Sequence, residues 1–315
     1  MVSTNSFKSD AGYTVYSNTY WSTPMDLSPG EMIYTDTTET PIDMPDAGKT
    51  GYAIVGFSGE IVDENGVSVP LSKVYDHHWI AVQKSHRNAL CGGTPEYVVG
   101  IGAESRNTAT QYPEGYGYYV GTSVAENLWG ANIHLLRTEY LSGDSLTATK
   151  ECNECYYADT KGYMCNPGEN GTFNCCGQEC PEDTCFCPTR DDAPTESKRY
   201  YLQYQVNYTY DLDMITPVDV GVVTAPDCEP YFGVYENNEE PETLASYSFD
   251  LDVDVEVVFA IGHLHVGAIN ISMFLNDELV CTSYPRYGST PDLAGDEYGY
   301  IVELSNCINK ETSTY

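Results

Sequence analysis

Residues 252–272 read DVDVEVVFAIGHLHVGAINIS, and the reading of the fold starts from this stretch. Over residues 252–260 acidic and apolar residues alternate, the period of two that marks a half-buried β-strand. The strand runs on into Gly262-His263-Leu264-His265-Val266-Gly267. In an extended chain residues i and i+2 share a face, so His263 and His265 project side by side while Leu264 turns away. That is a chelating pair, and neutral imidazoles suit copper, zinc, iron or nickel. The plainer alternative is two half-exposed strand histidines that bind nothing. Gly262 and Gly267 let the backbone bend or admit another group closely.

Working outward, the same strand signals recur and no stretch of residues 25–149 offers a long helical period. Residues 13–21 (YTVYSNTYW) read as a strand without a nearby hairpin partner. AIVGF (53–57) and EIV (60–62) are short apolar runs, and Asn65-Gly66 marks a turn in DENGV (63–67). Residues 199–210 (RYYLQYQVNYTY) form a long alternating strand, and Asn276-Asp277 marks a hairpin in LNDELVC (275–281). The fold class is therefore all-β, and the simplest architecture is two β-sandwich, jelly-roll-like domains joined by a disulfide-rich insert. The expected division is an amino-terminal extension over 1–20, a first sandwich over 21–150, the insert over 151–198 and a second sandwich over 199–315.

Composition narrows the classes of function. The chain has 315 residues and a formal charge of −33, from 47 acidic and 14 basic side chains. Such a surface repels nucleic acid and favours divalent cations or a basic partner. Tyrosine, at 28 against 8 phenylalanines, suits half-buried strand surfaces with wet hydroxyls. No apolar run is long enough to span a membrane. The opening MVSTNSFKSD holds no apolar signal segment, which leads us to expect numbering that begins at or near a mature terminus.

The cysteines number 12, an even count: Cys91, Cys152, Cys155, Cys165, Cys175, Cys176, Cys180, Cys185, Cys187, Cys228, Cys281 and Cys307. Cys152-x-x-Cys155 has no second CxxC at zinc-finger spacing, so disulfides are the reading, and disulfides place the chain in an oxidising, extracellular compartment. Sequons at Asn170, Asn207 and Asn270 agree with a secreted glycoprotein carrying N-linked glycans. Acidic tracts such as DLDVDVE (250–256) raise calcium as a ligand, but their spacing matches no EF-hand loop.

There are 6 histidines in the chain. Adjacent His77 and His78 point to opposite faces of a regular strand, so joint chelation requires a bulge or a strand end. His134, within an alternating segment, is placed to complete a three-imidazole site with that pair. The alternative for His78 or His134 singly is a core histidine bonded to a carbonyl. Two clusters far apart along the chain favour metal for the set.

From about Thr23 onward the sequence resembles the stress-up-regulated nodulin-like family best known from plants. The pieces that carry the likeness are VPLS (69–72), HHW (77–79), GIGAESRNTAT (100–110), Ile133-His134, Cys152-x-x-Cys155 with Cys175-Cys176, GHLHVG (262–267), VCTSYPRYG (280–288) and DEYGYIV (296–302). More distantly, the order His-His, single strand His, His-x-His resembles peptidylglycine α-hydroxylating monooxygenase and its type II copper relatives. That resemblance implies two sandwiches facing each other across a solvent-filled cleft. It implies a copper on His77, His78 and His134 that delivers electrons, and a second, oxygen-binding copper on His263 and His265. The relatives supply a late methionine to the second copper, whereas here the last methionine, Met273, lies about 26 Å from His265 along an extended strand. The expectation is one three-histidine metal site, an impaired second site and no full monooxygenase activity, with an active copper monooxygenase as the minor alternative. An alternative expectation is an extracellular fibre or sheath, self-assembled by donating the strand from Gly12 to Trp21 to a neighbouring molecule.

Overall fold

The computed structural model describes residues 2–37, 40–88, 90, 97–143, 146, 187–225, 242–251 and 254–308. One sheet runs in the order β1 (Ser3–Lys8), β2 (Thr14–Trp21), β11 (Lys198–Thr209), β5 (Tyr52–Asp63), β9 (Tyr116–Val120), β12 (Thr216–Val218). Short strands β3 (Met25–Leu27) and β8 (Thr110–Gln111) join β11 and β5. The second sheet runs β4 (Met32–Tyr34), β10 (Trp129–Leu136), β6 (Tyr75–Gln83), β7 (Tyr97–Gly102). All pairs in both sheets are antiparallel except β9 with β12.

Alternation decides which side chains meet between the sheets. Tyr200, Leu202, Tyr204, Val206 and Tyr208 of β11 all turn inward and are buried. Phe57 of β5 stacks on Tyr204 with ring centroids 5.8 Å apart and meets Trp79 of the opposite sheet at 5.6 Å. A Cβ on Gly59 would lie 2.7 Å from the Trp79 ring, so this glycine makes room for the indole. The sandwich is thus closed by aromatic contact, in which edge and offset packing adds to burial.

The pairing corrects the expected division of the chain. Tyr20 stacks on Tyr204 at 5.4 Å and Tyr16 on Tyr208 at 5.5 Å, so the tyrosine-rich faces of β2 and β11 select one another. The strand at 14–21 is therefore no separate extension, and β11 belongs to the first sandwich rather than to a second one beginning at 199. Nor is the strand open for donation to a neighbour, because β2 is flanked on both sides within its own chain, by β1 and β11.

Beyond β12 the described chain forms three antiparallel ladders: β13 (Phe259–Ile261) with β18 (Asn306–Ile308), β14 (Ile271–Leu275) with β15 (Glu278–Ser283), and β16 (Pro285–Tyr287) with β17 (Ile301–Leu304). Asn276 and Asp277 have φ of 48° and 64°, the two left-handed residues a tight hairpin needs, as the sequence predicts. Among the described residues of the alternating stretch only Phe259 and Ala260 are paired, and residues 254–258 run without a ladder. The Cys281–Cys307 disulfide ties β15 to β18. Cys187 is also disulfide-bonded, and no described cysteine is free. Cys91, Cys152, Cys155, Cys165, Cys175, Cys176, Cys180, Cys185, Cys228 and the sequon residue Asn170 lie outside the described residues. Asn207 is half-buried on β11, where its amide oxygen accepts from Gln205 Nε2 at 3.1 Å, whereas Asn270 is exposed. Among the described residues no helix is long and apolar enough to cross a membrane.

The carboxy-terminal ladders dock on the sandwich through the turn after β7. Arg106 donates to Glu60 at 2.8 Å, to the Val69 carbonyl at 2.8 Å and to Glu297 at 2.9 Å, and the Glu297 side chain is 1% exposed. Asn107 Nδ2 donates to the Val302 carbonyl at 2.9 Å, and Leu304 N donates to Thr108 Oγ1 at 3.0 Å.

A buried arginine fastens the place where the chain leaves β10 and returns at β11. Arg137 is fully buried, and it donates to the Leu27 and Glu196 carbonyls at 2.9 Å each and to Glu139 at 2.9 Å. Burial raises the Glu139 carboxyl, but hydrogen bonds from Lys198 and Arg137 outweigh it and hold the group below its usual range. A depressed carboxyl stabilises the fold above its unfolded value and loses that contribution as pH falls through the folded one. Glu139→Gln is expected to cost about 3 kcal/mol at neutral pH, since it takes the carboxylate away from a buried guanidinium. Urea unfolding across a pH series checks this: the gap from the parent should close as pH drops below the ordinary glutamate range.

Candidate metal centre

The histidine pair of β6 stands at a fault in its own ladder. His78 pairs with His134, but the next residue of β10, Leu135, pairs with Asp76, which leaves His77 as an extra residue on β6. This is the β-bulge that joint chelation demanded: it rotates His77 out of alternation and turns its ring toward that of His78. The two Nδ1 atoms are 3.1 Å apart. His134 is fully buried across the ladder, with ring centroids 4.9 Å from His77 and 5.3 Å from His78. One candidate ligand atom from each of the three lies within 4.8 Å of the others, the only such group among the described residues.

Neighbouring groups fix the tautomers. Asn132 donates its Nδ2 to the Thr35 carbonyl, which aims its Oδ1 at His78. His78 Nε2–H donates to that oxygen at 2.6 Å, leaving Nδ1 with its lone pair toward His77. Such an outer partner orients a ligating imidazole and raises its basicity. Tyr34 sets its ring edge against His134 at 5.2 Å. Burial first, then the neighbouring His265, His134, His78 and His263, push His77 well below the usual histidine range. A neutral imidazole is the form that binds a metal. The donor set, three imidazoles of which His77 and His134 are buried and His78 half-buried, fits a borderline divalent ion such as Cu(II) or Zn(II).

His263 and His265 reach the same place from the far end of the chain. They follow β13 in an extended segment rather than in a paired strand. Gly262 is obligatory for close packing, since a Cβ there would lie 2.2 Å from Ile271 Cγ2. Gly267, at φ 99°, ends the segment in a turn whose N–H donates to the Tyr287 hydroxyl at 3.0 Å. His265 then packs 4.7 Å from His77, centroid to centroid, and His263 lies 5.1 Å from His265. All five histidines expected from sequence therefore form one contiguous array, not two sites across a cleft. His86, outside the expected set, packs on Tyr118 at 5.8 Å.

Two acids missed by the sequence reading lie beneath the array. Glu104, in the turn after β7, has a fully buried side chain with Oε1 2.5 Å from His263 Nδ1. Asp76, next to the bulge, is buried, and burial followed by the Glu104 charge pushes its carboxyl well above its usual range against the pull of Arg106 and His263. For His263 burial pushes the imidazole down, but the Glu104 charge and hydrogen bond prevail and raise it. The signal for Glu104 is the run GIGAESRNTAT (100–110), which carries the family likeness without an assigned role.

A family model described as stress up-regulated Nod 19 matches residues 13–91, 83–230 and 234–315. No curated protein and no solved structure matches the chain.

Gly102 pairs with His78 at the edge of the array. A Cβ there would lie 2.1 Å from the His77 carbonyl oxygen and 3.0 Å from His263 Cε1, and the backbone contact cannot be relieved by a side-chain rotation. Gly102→Ala is expected to destabilise by about 1–3 kcal/mol through overpacking. Gly143→Ala, where an added Cβ meets nothing within 4 Å among the described residues, is the comparison and should stay within about 0.5 kcal/mol of the parent in urea unfolding.

Proposed function

This chain belongs to the stress up-regulated Nod 19 family, and from that premise we propose that it is an extracellular, disulfide-bonded glycoprotein that binds copper on His77, His78 and His134. The observation that carries this reading is the bulge at His77, which brings three imidazoles from two neighbouring strands within ligating distance of one another. A bulge in a ladder is a local cost that persists where it re-aims a side chain, and here it re-aims one toward two others of the same kind. Imidazole suits copper, zinc and nickel alike, and copper heads the affinity order among divalent first-row ions.

The compartment is part of the proposal. The Cys281–Cys307 bond and the absence of free cysteines among the described residues support an oxidising environment. Asn270, exposed between the histidine segment and β14, is the sequon we assign as a glycan site. Substrate hydroxylation forms no part of the reading. In the type II copper monooxygenase scaffold the sequence resembles, the two histidine groups face each other across solvent, and here they are in ring contact.

The test is copper retention. Full-length oxidised protein, loaded with Cu(II) and exhaustively dialysed, is expected to keep the metal and to give a nitrogen-ligated Cu(II) signal by electron paramagnetic resonance. His134→Ala should lose most of the metal held at this site, while His86→Gln, altered away from the array, should keep the parent's content. A parent that retains no more copper than a buffer blank ends the proposal.

A further inference from the structure

The proposed copper accounts for three imidazoles and leaves His263, His265 and Glu104 without a task. Glu104 is a fully buried carboxylate held close to a histidine. A carboxylate only accepts, so its 2.5 Å contact with His263 Nδ1 fixes the proton of that ring on Nδ1. The remaining nitrogen, Nε2, is then the one with a lone pair, and it lies 3.2 Å from Nε2 of His265. Two imidazole nitrogens aimed at each other, one of them held as an acceptor by a buried acid, are arranged to share a cation. The second oxygen of Glu104, Oε2, is buried with no hydrogen-bond partner among the described residues. A buried carboxylate oxygen left in this way points to a polar or cationic occupant beside it.

The position of this pair adds a further constraint. His265 is in ring contact with His77, so whatever the pair holds lies next to the three-histidine group. Gly102, without a Cβ, lets His263 approach β7 and reach Glu104.

We propose that Glu104 is the positioning residue of a second metal site, made by Nε2 of His263 and Nε2 of His265, which adjoins the three-histidine site so that the array holds two divalent ions as one centre. The inference rests on the metal-binding reading above and assigns a role to Glu104 that the histidine pattern does not contain. Carboxylate–histidine–metal relays of this kind hold the ring in its ligating tautomer.

Cu(II) alone is the probe, titrated into the full oxidised chain with metal content and spin signal followed together. Two coppers per chain are expected, with a spin signal weaker than the copper count because the neighbouring ions couple. His134→Ala should then bind at the second site alone and give an uncoupled signal. Glu104→Gln should keep the first copper and its spectrum, unfold cooperatively, and bind the second about 10–100-fold more weakly. Where Glu104→Gln fails to fold, the pair His263→Ala and His265→Ala, made together in the parent background, should reduce two coppers to one. A single copper in the parent that disappears in His134→Ala overturns the second site and leaves the three-histidine reading intact. An unchanged second affinity in Glu104→Gln, or two coppers surviving the double alanine change, overturns the inference as well. No copper in the parent overturns both readings.

Discussion

One extra residue in strand β6 governs the arrangement of the histidine array. Without the bulge, His77 and His78 would alternate across the sheet, and only one of them could face His134. With it, the pair faces one way, while Trp79 resumes the regular pattern and drives its indole between the sheets against Phe57. The indole N–H donates to Ser105 Oγ at 2.8 Å, so the residue that anchors β6 in the core also holds the turn that carries Glu104. The irregularity is stable because regular, well-packed structure begins immediately beside it.

The turn over residues 104–108 joins the two ends of the chain. Arg106, Asn107 and Thr108 bind the carboxy-terminal ladders through Glu297, Val302 and Leu304, and Glu104 in the same turn binds His263. A half-buried arginine satisfied by two carboxylates and a carbonyl is strongly directional, and it sets where the ladders sit. The Cys281–Cys307 bond then holds β18 against the ladder of β15, and β18 pairs with β13, the strand immediately before Gly262. His263 and His265 are placed by this succession of contacts rather than by a long strand of their own.

Much of the site was legible in the sequence because histidines are few. Four of six fall in two close pairs, and the geometry of a strand dictates that an adjacent pair can chelate only at a bulge or a strand end. The turn at Asn276-Asp277 and the all-β class were equally readable, since turn chemistry and a period of two are local properties. Partner choice was not. Alternation states which residues of β11 turn inward but not that β2 and β5 lie beside it, and the same signal over residues 254–258 finds no ladder at all. Glu104 was hidden for a different reason: in a chain with 47 acids, a single buried one carries no mark until its neighbours are known.

The central place of β11 also has a consequence for biosynthesis. It lies between β2 and β5, strands that leave the ribosome long before it does, with the whole cysteine-rich stretch in between. Until residue 209 has emerged, the first sheet lacks its middle, and the inward tyrosines of β2 and β5 have no opposite number. Pairing across so long a loop is slow, and the waiting halves expose unpaired strand edges. The late arrival of β11 therefore sets the length of the interval in which the unfinished sheet can aggregate.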